Sequence, residues 1–180
     1  SELQEMKSAL EEYKRLADTD PLTQLWNRRA FDKAMAKLYE TERDIMFGAL
    51  ILVDTDRFKA VNDRYGHPVG DRILQQVGRI LQASSTRHMF VARTGGEEFA
   101  IIVNGLSAEA TFALADDIRG IVEKTPFVLP EQGQQREILS ISAGVCMASE
   151  ADSADDLYIK ADRALYASKN AGRNKVTAHS

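Results

Sequence analysis

Two adjacent glutamates, Glu97 and Glu98, follow a pair of glycines in the stretch RTGGEEFA, residues 93–100. Apolar runs enter and leave this stretch, and Gly-Gly supplies the positive φ angles of a two-residue turn, so the pattern predicts a β-hairpin. Asp54 is the first polar residue after the apolar run LILV, which is typical of a buried strand. If the two strands are neighbours, Asp54 and one glutamate converge. Converging carboxylates repel each other unless a proton or a cation lies between them.

A hard divalent cation suits such a pair of carboxylates. Mg²⁺ takes one or two carboxylates and completes its shell with water and substrate phosphates. The residues therefore predict a phosphoryl- or nucleotidyl-transfer site. The glycines then have a second role, because a turn without Cβ atoms lets a ligand approach the backbone. The alternative is an ordinary hairpin with solvated charges, and the spacing alone leaves both interpretations open.

The segment DTDRFKAVNDRYGHPVGD, residues 54–71, places further polar side chains directly after the buried strand. Lys59 suits a phosphate. Asn62 and Asp71 suit the edge of a guanine, which offers N–H donors to a carboxylate and acceptors to an amide. Taken singly, a surface lysine, a turn-forming asparagine and a helix N-cap explain them as well. Their density beside a predicted metal site favours a nucleotide site.

The bulk properties predict one globular domain of 180 residues. The net charge of −4 argues against a nucleic-acid partner. The single cysteine, Cys146, excludes a disulfide within the chain and fits the reducing cytoplasm. We find neither a signal peptide nor an apolar run of about 20 residues, so we expect no membrane contact by this segment. A membrane anchor elsewhere in a longer, full-length protein is compatible with this expectation.

Helices and strands alternate along the chain, and the predicted hairpin lies between them. The pattern predicts an α+β fold with a mixed sheet and helices packed on it. We expect helices over residues 27–40, 71–82, 107–124 and 153–170, strands over 47–54, 89–93, 97–103, 136–147 and 175–177, and a loop that contains Pro126, Pro130 and Gly133.

Residues 1–17 carry apolar side chains with the 3-4-3-4 spacing of a coiled-coil seam: Leu3, Met6, Leu10, Tyr13 and Ala17. The run is shorter than the three or four heptads that would be diagnostic. A single helix that lies on its own domain fits the pattern equally well. Asp18, Asp20 and Pro21 end the helical pattern.

Five motifs occur in the order found in GGDEF domains, the diguanylate cyclases of bacteria: DPLTQLWNRRAF, DTDRFKAVNDRYGHPVGD, RTGGEEF, SISAGV and ADRALYASKNAGRNKV. The resemblance runs from about Asp18 to Val176 and takes the GGEEF form of the signature. It implies a palm-like nucleotide-cyclase architecture, with a mainly antiparallel central sheet flanked by helices. It divides the chain into an N-terminal linker helix, residues 1–17, and a cyclase domain, residues 18–180.

The resemblance also implies an activity, the condensation of two GTP molecules into cyclic di-GMP with release of pyrophosphate. Asp54 and Glu97 would be the catalytic carboxylates and would hold Mg²⁺, or Mn²⁺ in its place, with help from the Thr55 carbonyl. The general base is left open, with Glu97 as a candidate. The substrate-binding positions that the resemblance implies are Phe58, Lys59, Asn62, Asp71, Gly96, Lys169 and Arg173.

These substrate positions divide by the part of GTP that they would contact. Asn62 and Asp71 would bind guanine, and the other positions would lie near the phosphates. Lys169 and Arg173, spaced i, i+4, can share one side of a helix and would clamp the phosphates. The ordinary alternative is that basic residues favour the carboxyl end of a helix.

One domain is expected to hold one GTP, so the resemblance implies a homodimer with two domains face to face. Residues 1–17 would set the pairing and carry a signal from an N-terminal input domain that this chain lacks. The alternatives are a catalytically silent GGDEF domain that binds GTP or cyclic di-GMP, and a purely structural dimerisation domain.

Two features depart from the usual pattern. Gln24 stands where a glycine is usual, and the sequence offers no reason for it. Many relatives carry an inhibitory RxxD motif ahead of the turn, but its Arg and Asp positions are Thr86 and Met89 here. Threonine has no guanidinium fork and methionine has no carboxylate, so we predict no inhibitory site. Arg87 is one position off, and on a strand it would face the opposite side.

Overall fold

The computed structural model describes residues 1–129 and 135–180. The helices in these ranges are α1 (Glu2–Asp18), α2 (Arg28–Leu38), α3 (Glu42–Phe47), α4 (Phe58–Tyr65), α5 (His67–Ala83), α6 (Ala108–Lys124) and α7 (Ala154–Asn170). The strands are β1 (Gly48–Thr55), β2 (Met89–Arg93), β3 (Glu98–Asn104), β4 (Pro126–Leu129), β5 (Gln135–Ile138), β6 (Ile141–Met147) and β7 (Val176–Ala178).

Five strands form the central sheet in the order β2-β3-β1-β6-β7. All neighbours are antiparallel except β6 and β7, which run parallel. The strands β4 and β5 form a separate antiparallel pair. The predicted α+β class with a mixed, mainly antiparallel sheet is therefore confirmed.

The central strand β1 is buried along its whole length, as its apolar run predicts. Its side chains alternate between two cores, because successive residues of a strand point to opposite faces. Ile51 and Val53 join the core that contains residues of α4, α5 and α6. Leu50 and Leu52 join the core that contains residues of α2 and α7. The polar end of β1 thus emerges between two helical layers.

Helix α1 buries none of its residues, so the interpretation as a helix lying on its own domain is wrong. Leu3, Met6, Leu10 and Tyr13 are each more than half exposed. Asn27 joins the two helices, since its side chain accepts from the Ala30 N–H at the start of α2 and donates to the Ala17 carbonyl of α1. No helix in the described ranges has the length and apolar character needed to cross a membrane.

Several predicted boundaries are corrected by the structure. The strand predicted over residues 136–147 is two strands, β5 and β6. Between them, the Ser140 carbonyl accepts from the Asp56 N–H and the Ser140 hydroxyl donates to the Asp56 carboxylate. Helices α3 and α4 were not predicted. Pro126 begins β4 instead of lying in a loop, and Pro130 and Gly133 lie outside the described residues.

Helix α5 begins four residues earlier than the sequence predicts. Gly66 has a φ of +88°, which ends α4, and a proline at the first turn of α5 starts the next helix at His67. Asp71 therefore lies inside α5 and is not its N-cap. The cap explanation of Asp71 is wrong, and its carboxylate is left for another partner.

Candidate active site

Asp54 and Glu97 meet where β1 and the hairpin end. Asp54 pairs with Glu98 across β1 and β3, and the next residue, Thr55, donates its N–H and its hydroxyl to the Glu97 carbonyl at 3.2 and 3.3 Å. Burial raises the pKa of Asp54, and the Lys169 ammonium opposes that rise. Burial and then the Asp54 charge raise the pKa of Glu97. The two carboxylates are therefore close enough to repel each other.

This donor set fits a hard divalent cation. Asp54 and Glu97 supply two carboxylates whose repulsion a cation relieves, and Thr55 is the adjoining residue whose carbonyl we predicted as a further ligand. Within the described ranges, no three His, Cys, Asp or Glu side chains are grouped as metal ligands. Water and substrate oxygens would therefore complete the shell, as is usual for Mg²⁺.

The two neighbouring acids are engaged elsewhere. Asp56 accepts from the hydroxyls of Ser140 and Ser142 at 2.7 and 2.6 Å, and from the Asn174 N–H at 3.0 Å. Glu98 accepts the Tyr158 hydroxyl at 2.6 Å. Burial, followed by this bond to Glu98, raises the pKa of Tyr158 to about 12, so the phenol stays a donor. Of the four acids, Asp54 and Glu97 remain for a metal.

A cavity of about 550 Å³ is lined by Glu97 but not by Asp54. Six of the predicted site residues line it: Phe58, Lys59, Asn62, Asp71, Gly96 and Glu97. His67, Leu74 and Arg93 complete the lining, and the sequence had not singled out these three. Its volume is within the usual range of ligand pockets. The structure thus brings together the residues predicted for the base and those predicted for the turn.

The side chain of Asn62 has a buried oxygen, Oδ1, without a hydrogen-bond partner among the described residues. The space around it depends on Gly70, because a Cβ on Gly70 would collide with that oxygen and lie 3.0 Å from Phe58 Cζ. Buried polar atoms are almost always hydrogen-bonded, so this oxygen is an exception beside the cavity that Asn62 lines.

The hairpin is confirmed, but its turn differs from the prediction. Residues 94–97 connect β2 and β3, and neither Gly95 nor Gly96 has a positive φ. The two-residue turn is therefore wrong. A Cβ on Gly96 would meet no atom of the protein within 4 Å. Gly96 also lines the cavity, so the missing Cβ leaves its backbone open to a ligand.

The i, i+4 spacing of Lys169 and Arg173 predicts that they share one side of a helix, but the structure places Arg173 beyond the helix end. Helix α7 ends at Asn170, Gly172 is the predicted C′ glycine with a φ of +114°, and Arg173 is left-handed with a φ of 65°. The Lys169 ammonium lies 3.0 Å from Asp54 Oδ2. The side chain of Arg173 has no ion pair or hydrogen bond to the part of the chain that the structure describes.

Arg93 and Asp20 were missed by the sequence analysis. Arg93 Nη1 lies 3.1 Å from Asp20 Oδ1, and its Nε and Nη2 donate to the Gly96 carbonyl at 3.1 and 2.8 Å. The guanidinium thereby fixes the turn that carries Glu97. Asp20 had been interpreted only as a helix breaker, and no local pattern links two residues so far apart in the sequence.

The positions of the inhibitory motif lie away from the carboxylates. Thr86 and Met89 line a separate cavity together with Arg43 and His88. Arg87 lies in a turn ahead of β2, because the Met89 N–H donates to the Thr86 carbonyl. The strand-alternation argument about Arg87 is therefore wrong. The two substitutions themselves still remove the arginine fork and the carboxylate.

Comparison with known proteins gives consistent matches. The family model described as "Diguanylate cyclase, GGDEF domain" matches residues 17–175. Diguanylate cyclase VdcA of Vibrio cholerae is 37% identical over 97% of this chain. The chain spans 51%, about half, of the length of that relative.

Solved structures agree with the sequence matches. The coiled coil and GGDEF domain of DgcB from Caulobacter crescentus, solved in complex with c-di-GMP, has a TM-score of 0.91 at 31% identity, covering 98% of this chain and 93% of that one. The active GGEEF domain of a diguanylate cyclase from Vibrio cholerae has a TM-score of 0.79 at 31% identity, covering 87% and 99%.

Proposed function

Because the chain belongs to the GGDEF family, the diguanylate cyclase domains, we propose that it condenses two GTP molecules into cyclic di-GMP and releases pyrophosphate. One observation carries this proposal. A single cavity gathers Asn62, Asp71 and Glu97, and Glu97 in turn meets Asp54. A base-binding end and a carboxylate end are thus adjacent, as nucleotidyl transfer requires.

The residues divide between the two ends of the nucleotide. Asp71 accepts from guanine N1–H and N2–H₂, a donor pair that adenine lacks, and the Asn62 side-chain NH₂ donates to the guanine acceptors. Phe58, Lys59 and the Gly96 backbone lie along the phosphates. Lys169 supplies positive charge at Asp54, and Arg173 follows it in the chain as a second candidate for the phosphates.

Asp54 and Glu97 would hold Mg²⁺ or Mn²⁺. When bound, the metal neutralises the triphosphate and lowers the pKa of the attacking 3′-hydroxyl. The 3′-oxygen of each GTP would form a bond to the α-phosphorus of the other, so that two phosphodiester bonds close the ring and two pyrophosphates leave. Glu97 is our candidate for the group that takes the proton, because it is the proposed catalytic carboxylate that lines the cavity.

Turnover needs two chains, because each chain contributes one base pocket. We propose a homodimer that the exposed stripe of α1, Leu3, Met6, Leu10 and Tyr13, pairs as a coiled coil. Support comes from DgcB, whose solved fragment comprises a coiled coil and a GGDEF domain. In this proposal residues 1–17 link an N-terminal input domain to the cyclase domain, residues 18–180, which works in the cytoplasm where GTP is available.

The test is an incubation of the protein with GTP and Mg²⁺ at several protein concentrations. We expect cyclic di-GMP and pyrophosphate by mass spectrometry and a coupled assay, with a rate per chain that rises with protein concentration and then saturates. ATP in place of GTP is the control and should give no cyclic product. GTP binding without any product, at concentrations where light scattering shows a dimer, would leave only a regulatory binding module.

A further inference from the structure

Lys169 lies on the proposed metal site instead of in the nucleotide cavity. Its ammonium nitrogen is 3.0 Å from Asp54 Oδ2, and the two side chains are 33% and 12% exposed. The residue is in the last turn of α7 and does not line the cavity that contains Asn62. The partner of Asp54 is therefore a partly exposed cation on a flexible four-carbon stem.

The charges make this contact a competitor of a metal. Asp54 and Glu97 together carry two negative charges, and Lys169 reduces that sum to one. A second cation placed on the same carboxylates repels the ammonium, because like charges a few ångströms apart interact strongly near a protein surface. An incoming triphosphate carries more negative charge than a single carboxylate already bound to a metal, so it attracts the ammonium more strongly.

We propose that Lys169 is an exchangeable counter-ion of this site. It pairs with Asp54 when no metal is present and moves to a nucleotide phosphate when a metal displaces it. The inference rests on the proposed metal and GTP site. Metal binding then frees a phosphate ligand, and phosphate binding draws the ammonium off Asp54. Metal and nucleotide therefore strengthen each other's binding, and by thermodynamic linkage they do so reciprocally.

The decisive experiment measures Mn²⁺ binding without nucleotide, by electron paramagnetic resonance of the free ion, in the full chain and in Lys169→Met. Removing a partly buried opposing cation should tighten Mn²⁺ binding about fivefold. Lys160→Met is the matched control. Lys160 is on the same helix and lies 3.0 Å from Asp156, an acid outside the site, so Mn²⁺ affinity should not change.

A second measurement isolates the coupling. The affinity for a non-hydrolysable GTP analogue is measured in EDTA and in saturating Mn²⁺. The factor by which Mn²⁺ tightens analogue binding should fall about fivefold in Lys169→Met, because no ammonium remains to exchange. Thermal melts of each variant check that the fold is retained.

Unchanged or weaker Mn²⁺ binding in Lys169→Met would overturn the inference, because it would mean that Lys169 stays on Asp54 or serves the phosphates alone. The Mn²⁺ titration needs no turnover, so its result can be distinguished from the result of the cyclase test. Cyclic di-GMP formation with an unshifted titration would refute the exchange only. A shifted titration without product would refute the cyclase activity and leave the exchange standing.

Discussion

Arg93 holds the carbonyl of Gly96 with two nitrogens at once, Nε at 3.1 Å and Nη2 at 2.8 Å. Its third nitrogen, Nη1, binds the Asp20 carboxylate at 3.1 and 3.3 Å. Such a fork fixes direction as well as distance. The position of Glu97, the next residue after Gly96, therefore depends on a side chain that need not contact the metal.

Replacing Arg93 by lysine keeps the charge toward Asp20 but removes the fork. We expect kcat to fall about tenfold or more, because hydrogen bonds from a charged donor contribute roughly 1.5–3 kcal/mol. Steady-state kinetics check this expectation. Arg87→Lys, in the exposed turn before β2, is the control and should keep its kcat. Wild-type kcat in Arg93→Lys would show that the turn keeps its position without Arg93.

Gly70→Ala tests the base pocket. The new Cβ would collide with Asn62 Oδ1 and crowd Phe58, so Asn62 has to leave its position. We expect the KM for GTP to rise about tenfold, the value of one lost hydrogen-bonding group. Gly120→Ala is the control, because a Cβ there meets nothing within 4 Å, and it should leave KM unchanged. An unaltered KM in Gly70→Ala would argue against Asn62 as a base ligand.

Gln24 is strained, which the sequence alone could not show. Its φ is 64°, the left-handed region that costs a side chain roughly 1 kcal/mol, although its amide donates to the Pro21 carbonyl at 2.9 Å. We expect Gln24→Gly to raise the melting temperature by about 2–4 °C. Gln76→Gly, within α5, should lower it, since glycine destabilises helix interiors. A lower melting temperature for Gln24→Gly would show that the Pro21 bond outweighs the strain.

Product feedback through the RxxD positions should be absent. Thr86 and Met89 offer neither a guanidinium fork nor a carboxylate to cyclic di-GMP. Initial rates measured against added cyclic di-GMP at several GTP concentrations should show only inhibition that excess GTP relieves. Inhibition that GTP cannot relieve, and that disappears in Arg87→Ala, would contradict this expectation.

The sequence predicted which polar residues come together, but it did not predict the contacts that hold the turn in place. Asp54 and Glu97 could be paired from two strand ends, and Asn62 and Asp71 from the density of polar residues between them. The contact of Arg93 with Asp20 could not be predicted, because it joins residues 73 positions apart with no periodic signal. Helix α4 was not predicted, because its residues were interpreted as candidate ligands and not for their helical periodicity. Local patterns report burial and turns, whereas these contacts depend on how distant elements pack.

The pairing of Lys169 with Asp54 was beyond the sequence for another reason. Helical spacing suggested that Lys169 and Arg173 act together, but the helix ends between them. Gly172 turns the chain, and the Asn174 N–H then donates to Asp56. Of the two basic residues, Lys169 is the one whose side chain contacts a site carboxylate in the described part of the chain. An i, i+4 spacing places two side chains on one face only if both residues lie within the helix.

The most direct test of the central claim is the rate of cyclic di-GMP formation by Glu97→Gln with GTP and Mg²⁺. The change preserves shape and removes one of two repelling carboxylates, so the melting temperature should stay equal or rise. Product formation should fall at least about a hundredfold, because the metal loses a charged ligand. A folded Glu97→Gln protein that makes cyclic di-GMP at the wild-type rate, with unchanged Mg²⁺ dependence, would contradict the account.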